Sequence, residues 1–239
     1  MKPRVSIVIP FYNEEANVER VVTELCEAAS KSDWDIELVC VQNGSRDRTG
    51  DVLSRLAQAH HEIAAVSVAQ NRGYGYGVRQ GFAAATGDIV GYLDGDGQVR
   101  PSDVLRVLSG MQVCRAAKGV RATRGDGCQR RLVSALYNTM FRLLFPVGTG
   151  DANAKPKFLR KEDLVKLALV SDDWFVDAEI MIKMAALGVP WSEEEVEFRK
   201  RPGGSSNVKL SSIVEFLRNF WRWRFGPAYR SWKQTTLPS

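Results

Sequence analysis

Ile89-Val90-Gly91-Tyr92-Leu93-Asp94-Gly95-Asp96-Gly97-Gln98 is the stretch on which the fold turns. Its first five residues are apolar and of strand length, so they read as a buried strand. The strand stops at two carboxylates spaced i, i+2, with an amide two residues further on. Where the backbone turns as it leaves a strand, that spacing brings Asp94, Asp96 and Gln98 towards one point. Gly95 and Gly97 between them allow positive φ and close approach by a ligand. Oxygen donors suit a hard cation, Mg²⁺ or Mn²⁺, that can bridge to substrate phosphates. A polar turn after a strand is the competing reading. An EF-hand loop is a worse fit: counted from Asp94, its sixth position is Val99 instead of Gly and its twelfth is Leu105 instead of Glu.

Upstream, the same grammar repeats. Val5 to Ile9 is an apolar strand ended by Pro10, followed by Phe11-Tyr12-Asn13-Glu14-Glu15 and a helical pattern at Val18, Val21, Val22 and Leu25. Asn13 is the expected N-cap of that helix, with acids in the first turn. A second strand, Ile36 to Val41, runs into Gln42-Asn43-Gly44-Ser45-Arg46-Asp47, and a second helix follows at Val52, Leu53, Leu56 and Ala57. A third strand, Ile63 to Val68, runs into Gln70-Asn71-Arg72-Gly73-Tyr74-Gly75-Tyr76-Gly77, ahead of a helix through Phe82 to Ala85. Strand and helix alternate with short loops, which implies an α/β fold with a mostly parallel sheet covered on both faces. The polar, Gly-rich loops all fall at strand C-termini, where such folds bind ligands. The glycines at 73, 75 and 77 do not make a dinucleotide fingerprint, because Val78 and Gln80 stand where a third Gly is needed.

With 239 residues, one domain with appendages is expected. A net charge of +5 points to an anionic partner. The basic residues are uneven: Arg115 to Arg131 holds six against one acid, and Arg199 to the C-terminus nine against one. The four cysteines form no C-x-x-C pair and the two histidines, His60 and His61, lie away from the motifs, so buried thiols are expected instead of a zinc site. No apolar run reaches 18 residues, so no membrane-spanning helix is expected, and Val5 to Ile9 is too short for a signal peptide.

Downstream, an amphipathic helix follows Pro101, then a strand over Val113 to Val120. Arg121 and Arg124 lead to Arg130-Arg131-Leu132-Val133-Ser134, where Arg130 and Ser134 share a helix face. Guanidiniums and a hydroxyl on one side make a phosphate cradle, and a solvated basic face is the alternative. Asp151 to Phe158 reads as a polar turn into a strand. Trp174 to Leu187 is a helix stopped by Gly188, with Asp177 and Glu179 as ordinary first-turn acids. Val189 to Phe198 is an edge strand, and Arg201-Pro202-Gly203-Gly204-Ser205-Ser206 a mobile loop carrying a cation. Ile213, Phe216, Leu217, Phe220 and Trp221 recur at helical spacing among arginines. That pattern suits a helix at a membrane interface or one packed on the core with its arginines outside.

Taken in order, these stretches resemble the family-two glycosyltransferases of the GT-A fold, and most closely their dolichyl-phosphate mannose synthase and polyprenyl-phosphate sugar transferase branch. The likeness covers residues 4 to 225 and rests on Val8 to Glu15, Asn43 to Thr49, Asn71 to Gly75, Gly87 to Ile89, Asp94 to Gln98, Arg130 to Ser134, Asp151 and Arg201 to Ser206. The resemblance implies a GT-A domain over residues 1–206, with a nucleotide-sugar half (1–98) and an acceptor half (99–206), and a basic aromatic C-terminal helix and tail over 207–239. It implies that Pro10, Tyr12, Glu14, Asn43 and Asp94 line the donor nucleotide, and that Asp94, Asp96 and Gln98 hold Mg²⁺ or Mn²⁺. Arg121, Arg130, Arg131 and Ser134 would grip an acceptor phosphate. Arg201 would close over the donor diphosphate, with Asp96 the other residue essential for transfer.

The implied reaction is inverting transfer of a hexose, mannose or glucose in type, from a GDP- or UDP-sugar to a polyprenyl or dolichyl monophosphate. It would take place at the cytosolic face of a membrane, reached through the C-terminal helix or an anchoring partner protein. No nucleic-acid partner is expected. The alternatives are transfer to a sugar or protein hydroxyl, with Asp151 or Asp177 as base, and a module without turnover. Two departures stand out. Gln42-Asn43 replaces the family's acidic pair, and Lys155-Pro156-Lys157 replaces Ser-Gly-Phe, adding charge near the acceptor side.

Overall fold

The computed structural model describes residues 2–122, 137–149, 151–199 and 211–237, with side chains in the last stretch described from Arg218 onward. Seven strands form one sheet: β1 (Arg4–Phe11), β2 (Asp35–Asn43), β3 (Ile63–Val68), β4 (Ile89–Tyr92), β5 (Ala116–Arg121), β6 (Lys157–Arg160) and β7 (Trp191–Val196). Their order is β3-β2-β1-β4-β6-β5-β7. All neighbours run parallel except β6, which lies antiparallel to both β4 and β5. The helices are α1 (Val18–Ser30), α2 (Thr49–Ala59), α3 (Tyr74–Ala84), α4 (Pro101–Ser109), α5 (137–144), α6 (Lys161–Leu167), α7 (Val176–Ala186), α8 (Ser211–Phe225) and α9 (Pro227–Thr236).

Strand alternation splits the core in two. On β1, Ile7 and Ile9 face α1, α2 and α4, while Val8 faces α3, α5, α7 and α8. On β2, Leu38 and Cys40 take the first side and Val39 and Val41 the second. Both faces of each strand are therefore apolar, which is why these segments read as unbroken hydrophobic runs. Each fully buried Val, Leu or Ile contributes about 1.5–3 kcal/mol. The five residues α1 buries therefore outweigh its missing side-chain cap.

The antiparallel strand β6 is seated tightly against β4. Gly91 pairs with Phe158, and a Cβ at Gly91 would lie 2.1 Å from that ring. This contact sets Lys157 and Tyr92 side by side at the end of β4, directly behind Asp94.

Three local expectations change. Asn13 does not cap α1. It sits at φ 54°, which Asn tolerates, and its Oδ1 accepts from Arg46 N–H at 2.9 Å. The cap position falls to Asn17, because Glu14 O accepts from both Asn17 N and Val18 N and closes a turn first. Gly75 and Gly77 are not loop residues but the first turn of α3. Strand β5 starts at Ala116, because a short 3₁₀ turn at Gly110–Gln112 precedes it.

Candidate functional site

The C-terminal ends of β1, β2 and β4 converge on one rim. Tyr12 follows β1 and is 41% exposed, Asn43 ends β2 and is buried, and Asp94 and Asp96 follow β4, both half-buried. The first two loops are laced together. Ser45 Oγ accepts from Asn13 N–H at 3.1 Å, Thr49 Oγ1 from Glu14 N–H at 2.9 Å, and Asp47 from Glu15 N–H at 3.1 Å. Glu14 Oε2 accepts from Asn17 Nδ2 at 2.7 Å, so this carboxylate also braces the start of α1. Pro10 is buried in β1 beneath the rim.

The Gln42-Asn43 pair divides its work. Gln42 Oε1 turns back to accept from Gly44 N–H at 2.7 Å. Asn43 Nδ2 donates to Gly73 O at 3.1 Å, and its Oδ1 is buried with no hydrogen-bond partner among the described residues. An unmatched buried acceptor costs about 1–3 kcal/mol unless something donates to it. Here it lies at the end of a strand on the rim.

Asp96 Oδ1 accepts from Gln98 N–H at 3.1 Å. Gln98 is tied to Arg199 on both sides: its Nε2 donates to Arg199 O at 2.9 Å, and its O accepts from Arg199 N–H at 2.8 Å. Arg199 is thus held beside Gln98 at the rim. Arg201 itself lies outside the described residues, as do Arg130, Arg131 and Ser134.

Behind Asp94 is a buried ionic network. Lys155 Nζ lies 3.1 and 3.2 Å from the two Asp94 oxygens and 3.0 Å from Asp177 Oδ2. The ammonium is also 4.5 Å from the Tyr74 ring centre and 5.5 Å from that of Trp174, which stack on each other. Asp177 Oδ1 accepts from Tyr92 OH at 2.5 Å and from Lys157 Nζ. Lys155, Lys157 and Asp177 are 4%, 1% and 1% exposed. Burial opposes each charge, but Asp177 and Asp94 together raise the Lys155 ammonium above its ordinary value. Lys155 and Lys157 hold the Asp177 carboxyl below its own. Burial, with Lys155 nearby, pushes Lys157 down to about 8.

The charge that Lys155 and Lys157 add lies in the interior. They are buried counter-ions beneath Asp94. Asp177 and Glu179 are not ordinary first-turn acids: Glu179 is fully buried and accepts from Val170 N–H, Ser171 N–H and Lys183 Nζ at 2.9, 2.8 and 2.6 Å. Further along β5, Arg121 packs over the Phe198 ring at 4.8 Å with its Nε 3.8 Å from Asp151 Oδ2. The sequence missed the Tyr74–Trp174 stack, whose one signal was the aromatic spacing within Gly73 to Gly77. It also missed a distant trio: Cys26, His60 and Glu62 place their ligand atoms within 4.8 Å of one another near the start of β3. Burial and Glu62 push the Cys26 thiol up to about 12, so it stays protonated in that setting.

Residues 6–164 match the family model described as "Glycosyl transferase family 2". The chain belongs to that family. Among curated relatives, the undecaprenyl-phosphate 4-deoxy-4-formamido-L-arabinose transferase of Pseudomonas aeruginosa is 37% identical over 142 residues, covering 56% of this chain and 40% of that one. The protein of the same name from Shewanella sediminis is 33% identical over 216 residues, covering 89% of this chain and 64% of its own. The chain thus spans 40% to 64% of the length of these two relatives. Among solved structures, glucosyl-3-phosphoglycerate synthase from Mycobacterium tuberculosis matches with TM-score 0.71 in its complex with phosphoglyceric acid, at 21% identity over 94% of this chain and 80% of that one. The same enzyme with Mn²⁺, UDP and glucosyl-3-phosphoglycerate matches with TM-score 0.68. The family-two chain therefore has the GT-A fold expected of it.

Proposed function

We propose that the protein transfers a glycosyl residue, with inversion, from a nucleoside diphosphate sugar to a polyprenyl monophosphate at a membrane surface. The names of the curated relatives support a polyprenyl phosphate acceptor and a sugar transferase activity. The observation that carries the reading is the fate of the acids that lead into α7. Asp172 pairs with Arg72 and Arg79 at 3.1 and 2.5 Å, and Asp173 accepts from Phe175 N–H and Asn219 Nδ2 at 2.9 and 2.7 Å. Asp177 and Glu179 are held by buried lysines. A hydroxyl acceptor needs a general base within hydrogen-bond reach, and each of these four carboxylates is committed elsewhere. A phosphate monoester, with a second pKa near about 6, arrives already largely dianionic and needs positioning alone.

The donor set fits one divalent ion. Asp96 offers hard carboxylate oxygen at the rim, and Mg²⁺ or Mn²⁺ is commonly held by one or two carboxylates plus substrate phosphates. Such an ion would offset negative charge building on the departing diphosphate. In this reading the chain's own groups orient the donor: Asn43 Oδ1 accepts from a base N–H, Tyr12 flanks the base, and Arg201 covers the diphosphate. Arg121, Arg130, Arg131 and Ser134 receive the acceptor phosphate. UDP is the nucleotide to try first, because the solved neighbours carry it. The sugar is taken as a hexose, to be tested beside the formamido-arabinose that the relatives' names carry.

The experiment combines thermal-shift titration with UDP or GDP, with and without Mn²⁺, and transfer assays on a short polyprenyl monophosphate and the matching polyprenol. We expect Mn²⁺-dependent stabilisation by one nucleotide, its loss in a folded Asp96→Ala protein, and product from the phosphate alone. Equal transfer to the free alcohol would overturn the acceptor assignment. Undiminished activity in Asp96→Ala would overturn the metal role.

A further inference from the structure

The start of β3 lies at the opposite end of the sheet from the donor rim, because β3 runs parallel to β2 and the rim gathers strand C-termini. Three segments meet there. Cys26 comes from α1, His60 follows the last residue of α2, and Glu62 precedes the first residue of β3. The backbone around them is fixed: His60 N–H donates to Leu56 O at 3.0 Å, Ile63 N–H to His60 O at 3.2 Å, and Leu38 N–H to Glu62 O at 2.8 Å. Sulfur, ring nitrogen and carboxylate oxygen lie within 4.8 Å of one another. Ligands bound to a tetrahedral zinc stand about 3.3–3.6 Å from each other. His60 Nδ1 and Glu62 Oε1 are already 3.5 Å apart, so the remaining gap is about 1 Å, within reach of side-chain rotation.

Taken singly, a buried thiol is a small apolar filler and a histidine beside a glutamate is a surface pair. Taken together they match one divalent ion in charge. A thiolate and a carboxylate supply two negative charges and a neutral imidazole none, and charges buried in this way are tolerated when they coordinate a metal. Thiolate and imidazole also select zinc over the hard Mg²⁺ or Mn²⁺ expected at the donor rim. We propose that Cys26, His60 and Glu62 form a zinc site that ties α1 to the connection between α2 and β3, with water in the fourth place. As the ion binds, the S–H bond of Cys26 breaks, its proton leaves to solvent and an S–Zn bond forms, with no change of oxidation state. Cys26 is 8% exposed and closes the site from below. The side chains of His60 and Glu62, 40% and 27% exposed, form the way in. So far from the rim, the ion would act on stability and not on transfer.

The test is titration of the full chain, stripped of metal, with Zn²⁺ and with Co²⁺ as its spectroscopic stand-in. One equivalent of Co²⁺ should give the absorption of a tetrahedral centre with a sulfur-to-cobalt charge-transfer band, and Zn²⁺ should displace it. Cys26→Ser should abolish that band. His60→Ala and Glu62→Gln should each weaken Zn²⁺ binding at least about tenfold, a loss that even an outer-shell partner can cause. With free Zn²⁺ near a hundred times its Kd, the unfolding midpoint should rise by about 5 °C, and His60→Ala should remove the rise. If Cys26→Ser does not fold, His60→Ala and Glu62→Gln decide, because both side chains are partly exposed. Mn²⁺-dependent stabilisation by UDP should be unchanged in His60→Ala, so the zinc site and the donor site stand or fall separately. A charge-transfer band that survives Cys26→Ser, or a Zn²⁺ affinity unmoved by His60→Ala and Glu62→Gln, would overturn the site. So would the absence of Zn²⁺ binding by the unaltered chain.

Discussion

Asp177 shows how a carboxylate placed near a rim can be taken out of chemistry. Burial disfavours its charge, yet two ammoniums and a phenol hydroxyl hold the carboxyl below its ordinary range. Asp177→Asn keeps the shape, leaves Lys155 with Asp94 alone and takes from Lys157 the carboxylate it pairs with. Breaking a buried pair this way costs about 3–5 kcal/mol, to be read from urea unfolding at neutral pH. The sign of the pH dependence follows. A carboxyl with a lowered folded pKa contributes stability that is complete above its unfolded value near about 4 and is lost as pH falls through the folded value. The protein should therefore lose stability steeply below about pH 4, and Asp177→Asn should flatten that limb. Parallel acid limbs in the two proteins would mean that Asp177 is not charged in the fold. This residue was present in the sequence as an acid at a helix start, but its partners lie 85 and 20 residues away, on Tyr92 and Lys157. No local pattern records such a pairing.

The start of α3 carries its own test. Gly73 sits at φ +124° with Asn43 Nδ2 on its carbonyl, and a Cβ there would lie 2.2 Å from Asp172 O. Gly73→Ala must push the 171–173 loop away or move Asn43, at a cost of about 1–3 kcal/mol for backbone held in a rare conformation. If Asn43 meets the base, UDP affinity in the presence of Mn²⁺ should fall by roughly tenfold, about 1.4 kcal/mol, in a calorimetric titration. Unchanged affinity would separate this turn from the nucleotide pocket. Elements of this kind mark where sequence reading succeeded. Strands β1, β2 and β4 were legible because both their faces are buried, which leaves apolar runs closed by polar, Gly-rich loops, and the partly exposed edge strand β3 was legible from its run Ile63 to Val66. The seven-residue α6 was missed because Lys161-Glu162-Asp163 shows no helical period. The antiparallel insertion of β6 was missed because four residues carry no sign of direction. The burial of Lys155 and Lys157 was not legible, because their carboxylate partners Asp94 and Asp177 are distant in sequence.

At the scale of the molecule, the C-terminal segment packs one face of its pattern on the core and leaves the other face exposed. Asn219, Phe220 and Trp223 face inward, and Phe220 and Trp223 join the core against Phe175. In α9, Trp232 is buried and its Nε1 donates to Lys166 O at 3.0 Å, while Lys183 lies 5.2 Å from the ring centres of both Trp223 and Trp232. Removing the segment would therefore unroof α6 and α7, so truncation cannot test membrane binding cleanly. The outward face offers a better probe. Arg218, Trp221, Arg222 and Phe225 fall on one side of α8, with Trp221 and Phe225 68% and 45% exposed and their rings 4.3 Å apart. Aromatic rings between arginines suit an anionic lipid surface, where each cation contributes about 1 kcal/mol and the rings insert at the headgroup level. Trp221→Ser with Phe225→Ser should leave thermal stability unchanged, since neither side chain is in the core. The same pair should cut co-sedimentation with phosphatidylglycerol vesicles by roughly tenfold, about 1.4 kcal/mol, and binding by the unaltered protein should weaken with salt. If both proteins sediment alike, the exposed face of α8 is not the membrane contact, and the site must reach a lipid-borne acceptor by another surface.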